Sequence, residues 1–197
     1  MDYVVHRVNT TEKLKNIPKE LGIEIDIRHR NNSLVLDHEL DGLDTKLDEF
    51  LNFYNHGLLV ANIKEAGIEE IVIKTMKEKG VSNFFLLDVE FPYIYKNSDK
   101  HGEFLSSRFS EFEEISNSTH FENKIKWLWV DTFTKMPINK ENLEKIKSFN
   151  TCLVSPSRWG RPDEVEDYIN KFNSLNYFPN AIMVEQNEIE LWESFLS

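Results

Sequence analysis

Cysteine is almost absent from the sequence. Cys152 is the only one, so the chain has no pair with which to form an internal disulfide. Its apolar neighbours predict a buried and unreactive thiol, and the expected compartment is a reducing cytoplasm. The sequence also lacks a run of about 18 apolar residues, so we expect no membrane-spanning helix. The first ten residues contain charge and no long apolar run, which does not resemble a signal peptide.

Positive charge is in short supply as well. The sequence has 23 Lys and Arg residues and 34 Asp and Glu residues, which gives a net charge of −11. Such a chain repels nucleic acid and anionic membranes, and neither partner is expected. A bound metal ion could offset the acidity locally and admit an anionic substrate, although acidity for solubility explains the same charge. With 197 residues, 40% of them hydrophobic, the chain is expected to form one domain over residues 1–197.

No glycine-rich phosphate loop of the form G-x-G-x-x-G is present, which argues against an open, doubly wound sheet. Instead, short β-branched and aromatic runs alternate with helix-like segments, which is typical of repeated βα units. The predicted strands are Tyr3–Val8, Ile23–Arg28, Leu58–Ile63, Asn83–Val89, Phe104–Phe109, Lys126–Phe133, Thr151–Ser155 and Ala181–Glu185. Eight such units predict an α/β fold of the compact (β/α)8 TIM barrel type, with short loops.

Helices are predicted where apolar residues recur at three- and four-residue spacings. These segments are Thr45–Asn55, Ile68–Lys79, Lys140–Ser148, Glu164–Leu175 and Glu188–Leu196. Irregular structure is predicted for Phe91–Phe104, because it contains Pro92 and little helical periodicity.

A small β-hairpin is predicted in the second unit. The turn residues Asn31–Ser33 lie between the second strand and the short apolar segment Leu34–Leu36. Such a hairpin would return His38 towards Asp26.

The second strand also carries a pair of carboxylates. In Ile23-Glu24-Ile25-Asp26-Ile27 the alternation puts Glu24 and Asp26 on one face and the three isoleucines on the other, beneath the helices. Two carboxylates at the carboxyl end of a barrel strand could hold Mg²⁺ or Ca²⁺. The alternative is an ordinary strand with one charged face.

Other strands become polar at the same end. The residues concerned are His6, Asn62 with Lys64, Asp88 with Glu90, Arg108, Asp131 and Glu185. In barrels of this type the catalytic groups come from the carboxyl ends of the strands, so the pattern predicts a functional barrel mouth. Asp131 and Glu185 could pair with Arg or Lys across it, and exposed strand ends would also be polar without any function.

Three of these elements together resemble the glycerophosphodiester phosphodiesterase family, whose barrel is shared by phosphatidylinositol-specific phospholipases C. The elements are His6-Arg7 after strand one, Glu24-x-Asp26 on strand two, and His38 after the hairpin. The resemblance implies that His6 and His38 are an acid/base pair. It also implies that Glu24 and Asp26 bind a divalent metal, and that Arg7 and Lys64 contact a phosphate.

The resemblance weakens after the first third of the chain. Asn62-Ile63-Lys64 is similar to the family's Glu-x-Lys, with an asparagine where a third carboxylate is expected. The carbonyl oxygen of Asn62 and the carboxylate of Asp88 are therefore further candidate metal ligands. Arg108 and Trp129 are candidate substrate contacts, although core packing explains a tryptophan equally well. Val8 replaces the usual glycine after His-Arg, and the family's Pro-Glu-Asn-Thr stretch is missing.

The sequence therefore predicts an enzyme, a metal-dependent phosphodiester hydrolase that acts on a small phosphodiester through two histidines. One alternative is a catalytically weakened barrel that binds a phosphorylated ligand or a protein. Another is an isomerase or aldolase that uses Lys64. Four further histidines are predicted to be solvated surface residues: His29, His56, His101 and His120.

Overall fold

The structure is a computed structural model that describes residues 1–38 and 45–196. Its strands are β1 (Asp2–Val5), β2 (Gly22–Arg30), β3 (Ser33–Leu36), β4 (Thr45–Lys46), β5 (Leu59–Ile63), β6 (Phe84–Leu87), β7 (Ser106–Phe109), β8 (Trp127–Val130), β9 (Asn150–Val154) and β10 (Ala181–Val184). Each of the eight predicted strands is present. They are β1, β2 and β5 to β10, and they run parallel to one another.

These eight strands follow one another around the wall of a barrel. Continuous ladders give the order β6-β5-β2-β1-β10-β9-β8-β7. The two ends of this series, β6 and β7, are joined by a single parallel bridge between Leu86 and Leu105. The Ser106 hydroxyl adds a hydrogen bond of 2.7 Å to the Leu86 carbonyl. The (β/α)8 arrangement predicted from the sequence is confirmed.

The helices lie between the strands: α1 (Thr11–Lys15), α2 (Leu47–Leu51), α3 (Glu69–Glu78), α4 (Phe91–His101), α5 (Ile115–Thr119), α6 (Leu143–Ile146), α7 (Val165–Leu175) and α8 (Ile189–Ser194). All five predicted helices are present, and each is shorter than predicted. The prediction of irregular structure over Phe91–Phe104 is wrong, because α4 begins there. Pro92 lies in the first turn, where an amide hydrogen would have no partner within the helix. No helix in the described ranges is both long and apolar enough to cross a membrane.

Apolar side chains form two layers on either side of the barrel wall. The outer layer lies between strands and helices, and it contains Ile23, Ile25 and Ile27 as predicted. The inner layer fills the barrel and includes Phe85, Trp129, Cys152 and Met183. Cys152 is fully buried there, as predicted, and burial raises the pKa of its thiol.

The predicted hairpin is present and is extended by a third short strand. Asn31 and Asn32 both have a positive φ, 49° and 61°, as a tight two-residue turn between right-twisted strands requires. β3 pairs antiparallel with the end of β2, and β4 pairs with β3. Beyond β3, the Asp37 amide donates to the Asp26 carbonyl at 3.1 Å, so the hairpin returns the chain to the barrel mouth.

Gly102, which follows α4, is expected to tolerate no side chain. A Cβ at this position would lie 1.6 Å from the backbone oxygen of Lys124. Gly102→Ala should therefore lower the free energy of unfolding by about 3 kcal/mol through overpacking, measured by urea denaturation. Gly67→Ala is the control, because Gly67 has a φ of 94° and nothing within 4 Å. It should cost about 1 kcal/mol from backbone strain alone, and equal losses in both variants would contradict this account.

Candidate functional site

Four predicted polar residues meet at one side of the barrel mouth. His6 directly follows β1, Glu24 and Asp26 project from β2, and Asn62 projects from β5. Asp26 and Asn62 are partners in the β2–β5 register, so their side chains are neighbours on adjacent strands. All four side chains are buried, with Glu24 and Asp26 only 2% and 1% exposed. The carboxylates thus face the barrel interior, as the alternation of the strand predicts.

Glu24 is held by two donors. Its Oε2 accepts the Arg7 backbone N–H at 2.8 Å, and its Oε1 accepts the Asn62 side-chain N–H at 3.1 Å. Arg7 has a φ of 52°, an unfavourable backbone conformation that directs this N–H towards the carboxylate. Burial, and then the neighbouring Asp26 carboxylate, raise the pKa of Glu24 to about 7, although Arg7, Asn62 and Lys64 act in the opposite direction.

Asp26 is held by an amide and by an ammonium group. Asn9 donates its side-chain N–H to Asp26 Oδ2 at 2.8 Å, and its carbonyl oxygen accepts the Asp26 backbone N–H at 2.8 Å. The Lys64 ammonium forms an ion pair with Asp26 Oδ1 at 2.9 Å. Asn9 was not among the predicted site residues, because an asparagine in the loop after a strand carries no signal of its partner.

The oxygen atoms of Glu24, Asp26 and Asn62 are the candidates in this cluster for holding a divalent cation. Asn62 Oδ1 is buried and accepts no hydrogen bond from the part of the chain that the structure describes. A bound cation would satisfy that oxygen together with the carboxylates of Glu24 and Asp26, and such oxygen ligands suit Mg²⁺ or Ca²⁺. Within residues 1–38 and 45–196, no group of three or more Asp, Glu, His or Cys side chains could hold a metal. Because Asn62 is a neutral amide, the candidate ligand set of Glu24, Asp26 and Asn62 carries one negative charge fewer than three carboxylates would.

His6 forms a pair with Glu185, which directly follows β10. Its Nδ1 lies 2.8 Å from Glu185 Oε1, so Nδ1 carries the donated hydrogen. Glu185 is itself fixed by a reciprocal capping arrangement with Glu188. The sequence indicated that Glu185 could pair with Arg or Lys across the mouth; its partner is instead this histidine. In the neutral ring, Nε2 is then the nitrogen able to accept a proton.

The electrostatic surroundings of His6 favour the neutral imidazole. Burial lowers the pKa of His6, the hydrogen bond and charge of Glu185 oppose this, and the cations Arg158 and Arg7 lower it further. The Lys13 ammonium donates to the backbone carbonyls of His6 and Arg7, at 2.9 and 3.0 Å. Lys13 thereby fixes the backbone at the two residues of the His-Arg motif, a role that the sequence did not indicate.

His38 is joined to the same cluster through Arg7. The Arg7 guanidinium lies 2.5 Å from His38 Nε2, and because a guanidinium only donates, Nε2 is the acceptor. Arg28 donates to the backbone carbonyls of Asp37 and His38, at 3.1 and 3.2 Å, which holds the end of the hairpin in place. Arg7 thus contacts Glu24 through its backbone and His38 through its side chain.

A second cluster forms around Arg108. Its guanidinium is paired with Asp88 and Asp131, and Glu113 lies 3.6 Å away. Although burial lowers the pKa of Arg108, these carboxylates raise it overall. Burial raises the pKa of Asp131 to about 6, against the attraction of Arg108. The prediction that Asp131 could pair with an Arg is thus confirmed.

Asp88 and Trp129, which the sequence suggested as a metal ligand and a substrate contact, belong to this second cluster. Asp88 has its carboxylate engaged by Arg108. Trp129 is 3% exposed and donates its indole N–H to Asp131 at 3.1 Å, so it packs inside the barrel and orients a carboxylate. The prediction of a solvated His101 is wrong: its ring is buried at the end of α4 against Glu70.

The fold and the mouth define a TIM barrel with a polar site at the carboxyl ends of its strands. No known family model matches the sequence, and no curated protein matches it. Among solved structures, the chain is similar to a putative glycerophosphoryl diester phosphodiesterase from Agrobacterium tumefaciens strain C58, with a TM-score of 0.68 and 11% identity over 98% of each chain. It is also similar to a glycerophosphodiester phosphodiesterase from the same strain. There the TM-score is 0.70 and the identity 12%, over 98% of this chain and 99% of the other. The predicted resemblance is confirmed at the level of the fold.

Proposed function

We propose that the protein is a phosphodiester hydrolase of the glycerophosphodiester phosphodiesterase type. The observation that carries the proposal is the double contact of Arg7, which links Glu24 to His38 while His6 is its neighbour in the chain. Two imidazoles, two carboxylates and a guanidinium are thus gathered at one barrel mouth. The fold shared with the phosphodiesterases of Agrobacterium supports the same function.

The chemistry assigned to these residues is acid/base catalysis on a phosphoryl group. A cation held by Glu24, Asp26 and Asn62 would supply positive charge to the phosphoryl oxygens. Arg7 and Lys64 provide further positive charge, since both already lie against this cluster.

The two histidines have different partners and hence different roles. His6 accepts at Nε2 a proton of the water molecule that attacks the phosphorus, because Glu185 keeps the other nitrogen protonated. When Arg7 turns to the phosphate, it releases His38 Nε2, which can then hold a proton for the leaving oxygen.

The direct test is turnover of bis-p-nitrophenyl phosphate and of glycerophosphodiesters with Mg²⁺, Ca²⁺ or Mn²⁺. Hydrolysis that depends on the cation and stops on chelation supports the proposal. Absence of turnover with every cation would contradict it.

One alternative is a barrel that binds a phosphorylated ligand without cleaving it. Asn62 favours this alternative, because a neutral amide offers a metal ion less negative charge than a third carboxylate would. Tight binding of glycerol 3-phosphate with no hydrolysis of any diester would identify that function.

An aldolase using Lys64 is less well supported. A Schiff-base lysine must be a neutral amine, whereas Lys64 is ion-paired with Asp26.

Glu185→Gln is expected to change the pH dependence of hydrolysis. Glu185 stabilises protonated His6, so its loss lowers the pKa of His6, and the acid limb of kcat/KM against pH should move to lower pH. The value of kcat should also fall by about tenfold or more, because the amide no longer fixes the tautomer. Glu188→Gln is the control, since it changes the capping partner alone. An unmoved acid limb in Glu185→Gln would contradict the assignment of His6 as the base.

A further inference from the structure

Three aromatic side chains form a cluster at the barrel mouth, here called the aromatic rim: Phe112, Phe133 and Trp159. Phe133 is half-buried and lies between the two exposed rings. The ring centroids of Phe112 and Phe133 are 6.1 Å apart, and those of Phe133 and Trp159 are 4.8 Å apart. Phe112 is 73% exposed and Trp159 is 38% exposed. Two exposed rings that pack on a third, half-buried ring differ from the isolated apolar residues common on protein surfaces, and this contiguity indicates a binding surface.

The rim lies on the same face as the candidate active site. Phe112, Phe133 and Trp159 belong to the segments that follow β7, β8 and β9, so they lie beyond the carboxyl ends of these strands, as His6 and Glu185 do beyond β1 and β10. Ligands of such barrels bind at this face.

Arg158 lies on the side of the rim nearest the histidine pair, because it follows β9, and β9 pairs with β10, which Glu185 directly follows. Its guanidinium lies over the Trp159 ring, 5.6 Å from the centroid. After burial and Glu185, the charge of Arg158 also acts on His6. A negatively charged group bound by Arg158 would therefore have the aromatic rim beside it.

The loops that carry the rim are held together by hydrogen bonds. The Glu111 carboxylate accepts both the backbone N–H and the hydroxyl of Thr134, which joins the loop of Phe112 to that of Phe133. Arg161 donates to the Thr132 carbonyl, which joins the loop of Trp159 to that of Phe133. The Phe112 backbone N–H donates to Ser110 Oγ at 3.1 Å. These bonds fix the backbone of the loops that carry the rings before any ligand arrives, which reduces the entropic cost of binding.

We propose that the aromatic rim binds an apolar substituent on one alcohol of the phosphodiester substrate, so that the preferred substrates carry an aryl or acyl group beside the phosphate. This inference rests on the proposed function. The occupant is a single substrate molecule, because the charged phosphate and the apolar group must be neighbours, as Arg158 and Trp159 are. Glu111 and Glu113 flank Phe112 in a chain of net charge −11, which opposes attachment to an anionic membrane.

The test compares two ligands that differ in their apolar part: glycerophosphocholine, and 1-decanoyl lysophosphatidylcholine below its micellar concentration. Binding is measured by calorimetry in the His6→Ala protein, so that it is independent of turnover, and KM and kcat are measured in the protein with His6 intact. The variants are Phe112→Ala and Trp159→Ala. Tyr95→Ala is the control, since Tyr95 is 74% exposed on the outer helix α4.

We expect the protein to bind the decanoyl ligand more tightly than glycerophosphocholine. Each rim variant should weaken decanoyl binding and raise its KM by about three- to tenfold, while kcat and the binding of glycerophosphocholine stay the same. Tyr95→Ala should change neither. The proposal is overturned by equal affinity for both ligands or by an equal loss for both in the rim variants. It is also overturned if these variants lose co-sedimentation with phosphatidylcholine vesicles but keep monomer binding. Decanoyl binding without hydrolysis of any diester would instead refute the proposed function and leave the rim as a ligand site.

Discussion

Replacing His6 with alanine is expected to lower kcat for bis-p-nitrophenyl phosphate by about 10³-fold, within the range for loss of a general base. The imidazole is the only group that the described contacts place against Glu185 with a nitrogen left to accept a proton. The fall should appear in kcat rather than KM, because His6 takes a proton from the attacking water molecule and does not bind the charge of the phosphate. Steady-state kinetics at saturating substrate measures it.

The matched control is His120→Ala, which removes an imidazole from the exposed end of α5. Its kcat should equal that of the unmodified protein. Calorimetric melting of both variants separates a chemical effect from unfolding. If His6→Ala retained a tenth or more of the activity while folded, His6 could not be the base.

Asn62→Glu is expected to tighten the binding of Mg²⁺ or Mn²⁺ by roughly 10- to 100-fold, because it adds a carboxylate beside Glu24 and Asp26. The same change should lower the melting temperature of the protein without metal, since three buried carboxylates would repel one another. Added metal should reverse that loss. Calorimetric titration gives the affinity, and thermal unfolding with and without the cation gives the stability.

Asn62→Gln serves as the control for this substitution, because it lengthens the side chain and adds no charge. It should leave the affinity for the cation the same or weaken it. Equal affinities in Asn62→Glu and Asn62→Gln would show that position 62 does not face the cation, and the proposed ligand set would have to be abandoned.

The strands and the first part of the site could be predicted from local pattern. Ile23, Ile25 and Ile27 alternate with Glu24 and Asp26. This alternation identifies which face of the strand packs against the helices and which face carries the polar residues. The hairpin turn could also be predicted from a local signal, since two adjacent asparagines adopt the two positive φ angles that the turn requires. α4 was missed because the sequence does not show whether Pro92 begins a helix or interrupts one.

The contacts between distant residues could not be predicted. His6 and Glu185 meet only because β1 and β10 are neighbours once the barrel closes, and 179 positions separate them in sequence. Asn9 and Lys13 owe their roles to backbone groups of Asp26 and His6, which no side-chain motif indicates. The burial of His101 depends in the same way on the packing of α4 against a neighbouring helix.

Backbone pairing in the barrel wall is weakest between β6 and β7, where a single bridge takes the place of a continuous ladder. Asp88 follows β6 and Arg108 lies on β7, so their ion pair spans this seam at the mouth. The cluster around Arg108 therefore joins the two strands that the backbone connects least. Because the backbone pairs least at this seam, we expect any loosening of the barrel to begin there, away from the histidines.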